Sequence, residues 1–229
     1  MITKEDIPAL RALWQEAFGD TDELLDKFFA VGFSFDRCNC IRQGDKIVAA
    51  LYWFDCRWGS KKVAYIYAVA TDKALRGQGL CRSLMEDTHR QLAAQGYSGA
   101  ALVPGSEELT SLYAKFGYRG FCPVVKLSVA AEKLPAVKEI SPAEYWGSRQ
   151  KILGENALLQ EITALDFLAT YGSFYQGENS IFCGYFEGDT FHFEEILEAS
   201  SQKCSSVQAM YLSLEGDENL PGYFAIALN

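Results

Sequence analysis

A chain of 229 residues with 49% hydrophobic, 14% aromatic and 22% charged residues has globular proportions, which exclude a disordered tail or a fibrous repeat. Its net charge of −9 is unevenly spread: residues 1–130 hold 16 Lys and Arg against 15 Asp and Glu, whereas residues 131–229 hold 5 against 15. An acidic half with so few cations repels phosphate backbones and anionic lipid, so nucleic acid and membrane are excluded as partners and a cationic ligand is favoured.

The longest apolar runs, Ile47 to Phe54 and Ala64 to Ala70, fall short of the roughly 18 to 20 residues of a bilayer span. The charged start, Met1-Ile2-Thr3-Lys4-Glu5-Asp6, lacks the pattern of a signal peptide. The seven cysteines (Cys38, Cys40, Cys56, Cys81, Cys122, Cys183 and Cys204) are odd in number and lie in apolar contexts. They read as reduced, buried hydrophobes, and a cytoplasmic location is expected. With only His89 and His192 to accompany them, no zinc set of the usual spacing can be written, so no metal is expected.

In chain order, Thr3 and Asp6 form a capping box, and Ile7, Leu10, Trp14 and Phe18 recur at helical spacing, which predicts a helix over Lys4 to Phe18 ending at Gly19. Thr21 caps a second amphipathic segment carrying Leu24, Leu25, Phe28 and Phe29. Cys38 to Arg42, the turn Gln43-Gly44-Asp45 and Lys46 to Cys56 predict a β-hairpin. Lys62 to Thr71, nearly continuous in apolar character, suits a central strand buried on both faces. A helix with Leu80, Leu84, Thr88 and Leu92 on one stripe follows and stops at Gly96. Then come a strand over Gly99 to Val103, a helix over Glu107 to Phe116, and a closing strand over Val124 to Val129.

The composition shifts at Ala130 to Pro135, which divides the chain into residues 1–130, a linker at 131–139, and an acidic α+β unit at 140–229. Ser141-Pro142-Ala143-Glu144 begins a helix with proline at the first helical position. A second helix is expected over Asn156 to Tyr171. Strands follow at Ile181 to Phe186, Thr190 to Leu197, Val207 to Leu214 and Tyr223 to Leu228, with Gly188-Asp189 as a hairpin turn. Helix, helix, hairpin, strand thus occurs in both halves, either as a degenerate duplication or as an unrelated α+β extension.

The segment with most chemical content is Val69 to Leu84, where a buried strand enters the loop Arg76-Gly77-Gln78-Gly79 and passes straight into a helix. Backbone N–H groups and the positive helix end converge there on one point, an anion site that suits a pyrophosphate. Arg82 occupies the place of the third glycine that a dinucleotide fold requires, and no Gly-Lys-Ser/Thr follows for a phosphate loop.

Arg76-x-x-Gly79-x-Cys81 resembles the acetyl-CoA signature Arg/Gln-x-x-Gly-x-Gly/Ala of the GNAT superfamily of N-acetyltransferases, with Cys81 departing from the usual glycine or alanine. Leu112-Tyr113-Ala114-Lys115-Phe116-Gly117-Tyr118 is similar to that family's second hallmark. The resemblance covers about residues 1 to 128. It implies a mixed α/β fold of the GNAT type over residues 1–130; the order of helices and strands, with no motif match, motivates reading 140–229 as a smaller, GNAT-like α+β domain.

The resemblance also implies roles. Tyr67, Ala68 and Val69 would line the acetyl-pantetheine arm, with the Val69 amide polarising the thioester carbonyl. Arg76, Gly77, Gln78, Gly79, Leu80, Cys81 and Arg82 would hold the pyrophosphate, and Tyr113 would protonate the leaving thiolate. Tyr113 as a packed helix aromatic is the structural alternative. Ser106 stands where many relatives carry an asparagine, and Tyr65 where some carry a glutamate base; Asp55, Glu107 and Glu108 are substitutes with no feature to select among them. His89 is expected on an exposed helix face and His192 as an ordinary strand residue. The implied activity is direct acetyl transfer from acetyl-CoA to a primary amine of a small molecule or peptide, with a homodimer admitted. The rivals are transfer of a longer acyl or aminoacyl group, and an acyl-CoA-binding sensor or scaffold without turnover.

Overall fold

A computed structural model describes residues 2–124, 127–134, 136–198 and 208–224. Thr3 and Asp6 make the anticipated capping box, the Asp6 carboxylate accepting from the Thr3 N–H at 2.8 Å. Helix α1 (Ile7–Phe18) ends at Gly19, whose φ of 77° is a left-handed cap. Helix α2 (Asp22–Lys27) begins with the Thr21 hydroxyl accepting from the Leu24 N–H. These elements bury Leu10, Leu13, Trp14, Leu25 and Phe28 in the core on one face of a mixed sheet.

That sheet starts with β1 (Cys38–Gln43), β2 (Lys46–Trp58) and β3 (Lys61–Thr71), all antiparallel neighbours. Helix α3 (Leu80–Ala94) then crosses to β4 (Gly99–Leu102), which pairs parallel to β3 as a βαβ unit requires. Helix α4 (Glu107–Ala114) leads to β5 (Arg119–Pro123). The face opposite α1 and α2 packs Leu51, Trp53, Ala64 and Ile66 against Leu84, Met85 and Leu92 of α3 and against Tyr113 and Tyr118.

The closing strand expected over Val124 to Val129 is not what closes this sheet. Within that range residues 125 and 126 lie outside the described residues, and β6 (Leu127–Ala130) belongs to a second sheet. The gap between β4 and β5 is filled from far along the chain by β12 (Gln208–Ser213), antiparallel to both. Its Ala209, Met210 and Tyr211 are buried, as a strand paired on both edges and covered on both faces must be. Val207 of the expected strand lies outside the described residues.

The expected helix over Asn156 to Tyr171 is split. Ala157–Gln160 is strand β8, which pairs antiparallel with Cys56 to Trp58 of β2, and only Ile162–Leu168 forms helix α6. A segment as short as Ala157-Leu158-Leu159-Gln160 fits either state, and the bare edge at the end of β2 decides for the strand. Strand β13 (Tyr223–Phe224) adds parallel to β8; the remainder of the strand expected to Leu228 lies outside the described residues. Among the described residues the first sheet has eight strands, β1 pairing with β2 beside the order β13-β8-β2-β3-β4-β12-β5.

The second sheet is antiparallel, in the order β6-β11-β10-β9-β7, with β7 (Lys138–Ile140), β9 (Ser173–Gln176), β10 (Ser180–Glu187) and β11 (Thr190–Glu198). Helix α5 (Pro142–Leu153) opens with the anticipated box, Glu144 accepting from the Ser141 N–H at 2.8 Å. The 131–139 stretch expected as a linker includes the first two residues of β7. The sheets interleave across it, since β8, β12 and β13 all return to the first sheet.

Candidate active site

The site is built on β3. Its parallel pairing with β4 runs from Val63 to Tyr65, so the following residues of β3 have no ladder partner on that edge among the described residues. On its other edge Ala50 pairs with Ala70 and Tyr52 with Tyr67, so Leu51 alone opposes Ala68 and Val69. This is a β-bulge. Ala68 carries the strain, with φ of 49°, a left-handed conformation that costs a residue with a Cβ about 1 kcal/mol. Tyr67, Ala68 and Val69 are half-buried, beyond the end of the pairing with β4.

Beyond the bulge Asp72 organises the loop. It is buried, its Oδ1 accepts from the Ala74 N–H at 2.9 Å, and its Oδ2 accepts from Lys46 Nζ at 2.5 Å. The lysine holds this carboxyl below its ordinary range. The Arg76 guanidinium donates to the Thr71 carbonyl at 3.3 Å and is otherwise exposed. Gly77 and Gly79 follow with φ of 77° and 83°. A Cβ built on either would meet nothing within 4 Å, so both glycines border open space at the N-terminus of the 15-residue helix α3. Positive φ, an open cradle and orphan N–H groups suit an anionic diphosphate. Gln78 is exposed beside them, and Leu80 and Cys81 are half-buried in the first helical turn.

Arg82 links this turn to α4. Its guanidinium lies 4.8 Å from the Phe116 ring centroid and its Nη1 3.6 Å from Glu86. Phe116 in turn packs edge-on to Tyr113 at 6.1 Å. Burial, and then the neighbouring Cys81, push the Tyr113 phenol above its ordinary value, and the group stays protonated. Burial raises the Cys81 thiol too, so it is no ready nucleophile. The two sequence motifs, separated by thirty residues, therefore meet.

This strand, bulge, glycine turn and helix coincide with the sequence match: residues 1–121 fit the model of the acetyltransferase (GNAT) domain. The chain belongs to the GNAT acetyltransferase family. Its GNAT fold resembles that of a GCN5-related N-acetyltransferase from Kribbella flavida, at 18% identity over 93% of this chain and 70% of that one, with a TM-score of 0.68. A putative acetyltransferase from Pyrococcus horikoshii gives 14% identity, 99% and 93% coverage, and a TM-score of 0.69. A probable N-acyltransferase from Enterococcus faecalis V583 gives 16%, 93% and 72%, and 0.64. No curated protein is significantly similar in sequence.

Other candidates of this GNAT chain have different roles. Ser106 caps α4, accepting from the Leu109 N–H at 3.3 Å and donating to Glu108 at 3.0 Å. Glu107 and Glu108 are exposed in the first turn of α4. Asp55 lies on β2 opposite Ala64, bound by Arg37 at 3.1 Å and by the Tyr97 hydroxyl. Tyr65 is buried at the last residue paired with β4.

His89, expected on an exposed face, is instead half-buried, its Nε2 2.8 Å from the Tyr118 hydroxyl, because Tyr118 folds back over α3. His192 stacks on Tyr185 at 5.2 Å. Among the described residues no His, Cys, Asp or Glu group could hold a metal ion, and no helix is long and apolar enough to cross a membrane.

Proposed function

We propose that the protein transfers the acetyl group of acetyl-CoA directly to a primary amine. The observation that carries this reading is a continuous path: the bulged end of β3 leads through the open Gly77–Gly79 turn into α3, whose first turn meets the hallmark segment bearing the protonated Tyr113 phenol through Arg82 and Phe116.

The backbone of Tyr67 to Val69, turned out of the ladder by the bulge, would pair with the pantetheine amides, and the Val69 N–H would polarise the thioester carbonyl. The N–H groups of Gly77 to Arg82 and the helix dipole would hold the pyrophosphate, with Arg76 and Arg82 adding charge. The amine nitrogen forms a bond to the carbonyl carbon as the carbon–sulfur bond breaks, and the sulfur leaves as a thiol. Tyr113 would donate its hydrogen toward that sulfur. Because burial raises its pKa, its main effect is to stabilise the forming thiolate by a hydrogen bond, with the proton that the ammonium releases restoring the balance. Direct transfer fits the half-buried, protonated Cys81, which is poorly suited to carry an acyl group.

Free thiol release from acetyl-CoA with a panel of primary amines tests the proposal, and a series of acyl-CoA chain lengths tests the acyl group. Amine-dependent release supports it. Acetyl-CoA binding without release under any amine would make the protein a binder instead.

A further inference from the structure

Helix α4 ends in a motif that folds the chain back onto Tyr113. The Tyr118 N–H donates to the Tyr113 carbonyl at 3.2 Å and the Gly117 N–H to the Ala114 carbonyl at 3.1 Å, with Gly117 left-handed at φ of 93°. These are the two bonds of a Schellman cap, which sets the residue after the glycine against the residue five positions before it. Here both residues are tyrosines, and their rings meet edge-on at 5.9 Å. Phe116 also meets the Tyr113 ring edge-on, at 6.1 Å.

Tyr113 is thus held between two aromatic neighbours, and each of them is fastened to α3. Phe116 lies under the Arg82 guanidinium at 4.8 Å. Tyr118, 2% exposed, has its hydroxyl 2.8 Å from His89 Nε2. Arg82 and His89 are seven residues apart, about two turns of helix, so they stand on one stripe of α3. The same helix begins at the open glycine turn.

Burial keeps the Tyr118 phenol protonated and the His89 ring neutral, so one uncharged hydrogen bond joins them. A buried bond of this kind fixes the ring that makes it. The Tyr113 hydroxyl has no hydrogen-bond partner among the described residues. Its direction therefore depends on the rings packed around it.

We propose that His89 and Tyr118 are positioning residues for Tyr113. The hydrogen bond between them holds the Tyr118 ring, and that ring holds the Tyr113 hydroxyl where it can donate toward the leaving sulfur. Because this brace and the glycine turn share α3, the donor is kept in register with the helix end that would bind the pyrophosphate. The inference rests on the acetyl-transfer reading above.

The test uses the full chain, acetyl-CoA and the fastest acceptor among propylamine, phenethylamine, lysine and a tripeptide. Tyr118→Phe keeps the ring and removes only the hydroxyl. It should lower kcat about tenfold while the amine KM and the acetyl-CoA affinity stay within about twofold. His89→Leu should match that loss, and His89→Gln, which can still bond the hydroxyl, should recover most of it. In a Tyr113→Phe background Tyr118→Phe should cost nothing further, because the donor it positions is gone. An unchanged kcat in folded Tyr118→Phe overturns the proposal, as does an equal loss in both backgrounds, which general loosening would give.

A second measurement needs no turnover. With carbon-13 in the tyrosine rings, the two edges of the Tyr113 ring should give separate NMR signals in the unaltered chain, because a braced ring flips slowly, and should merge in Tyr118→Phe. Merged signals in the unaltered chain overturn the proposal even if every variant fails to fold. If no amine releases thiol, the acetyl-transfer reading falls and the signals alone decide: merging only in the variant sustains the brace, and the same pattern in both proteins overturns it.

Discussion

Gly99 of β4 lies beneath Tyr211 of β12, so closely that a Cβ added to Gly99 would overlap the phenol oxygen and the carbon that bears it. The family-matching stretch thus leaves a side-chain-sized space at the one place where a strand from residues 208–213 must seat. Gly99→Ala should cost about 1 to 3 kcal/mol through overpacking, read as a lowered urea midpoint with an unchanged slope. Combined with Tyr211→Ala, the cost should be well below the sum of the two single variants, because each relieves the other. Additive losses would mean that the ring does not sit over Gly99.

Gly79 tests the anion cradle. Its φ of 83° and the open space around its Cβ position mean that aspartate adds strain of about 1 kcal/mol and places a carboxylate where the pyrophosphate would lie. Gly79→Asp should weaken acetyl-CoA binding at least a hundredfold in calorimetry, with the folded state confirmed by circular dichroism. Unchanged affinity in a folded variant would move the cofactor elsewhere.

Tyr113 separates chemistry from binding. Tyr113→Phe keeps the packing on Phe116 and Tyr118 and removes only the hydroxyl. Turnover should fall roughly ten- to a thousandfold with cofactor affinity retained. Equal turnover under saturating amine would make Tyr113 a packing residue.

What was legible in the sequence is what the local backbone dictates. Arg76-Gly77-Gln78-Gly79 between a continuous apolar strand and an amphipathic helix announces a strand, a left-handed turn and a helix N-terminus, and each lies where the pattern puts it. The partner of β12 was not legible: Ala209-Met210-Tyr211 reads as a strand, but nothing local says that it pairs with β4 and β5. The bulge at Glu194 was hidden for a related reason. Phe191-His192-Phe193-Glu194-Glu195-Ile196 reads as a regular strand, and the bulge comes from pairing with β10. Asp72 carries a usable local signal, an aspartate two residues ahead of the backbone N–H it accepts from, as in an Asx turn.

His89 makes a pH prediction. Burial depresses its pKa from 6.5 to about 4, outweighing the opposing pull of Glu86. The unfolded chain therefore binds more protons than the folded one between these values, and stability rises with pH across that window. The contribution should be fully present above about pH 6.5 and lost as the pH falls toward 4, by on the order of 2 to 3 kcal/mol. Urea unfolding of the unaltered protein and of His89→Phe should give a difference in stability that shrinks or reverses over this range. A pH-independent difference would mean that the ring is solvated and titrates normally.

Arg149 of α5 and Glu195 of β11 form an ion pair with side-chain exposures of 0% and 1%. The same guanidinium donates to Gln160 of β8 at 3.0 Å. The pair therefore ties the second sheet to β8 of the first, beside the Glu194 bulge. Removing one partner leaves an uncompensated buried charge, so Arg149→Met should cost about 3 to 5 kcal/mol. Replacing both, Arg149→Met with Glu195→Leu, should recover most of that loss, because two desolvated charges are exchanged for packed apolar volume. Tyr145 would still lose its acceptor in the double variant, so adding Tyr145→Phe should recover a further 1 kcal/mol or so. Denaturant unfolding of the single, double and triple variants gives the order. If the Arg149→Met loss is under about 1 kcal/mol, the charges are hydrated rather than buried, and the tie between the sheets goes with them.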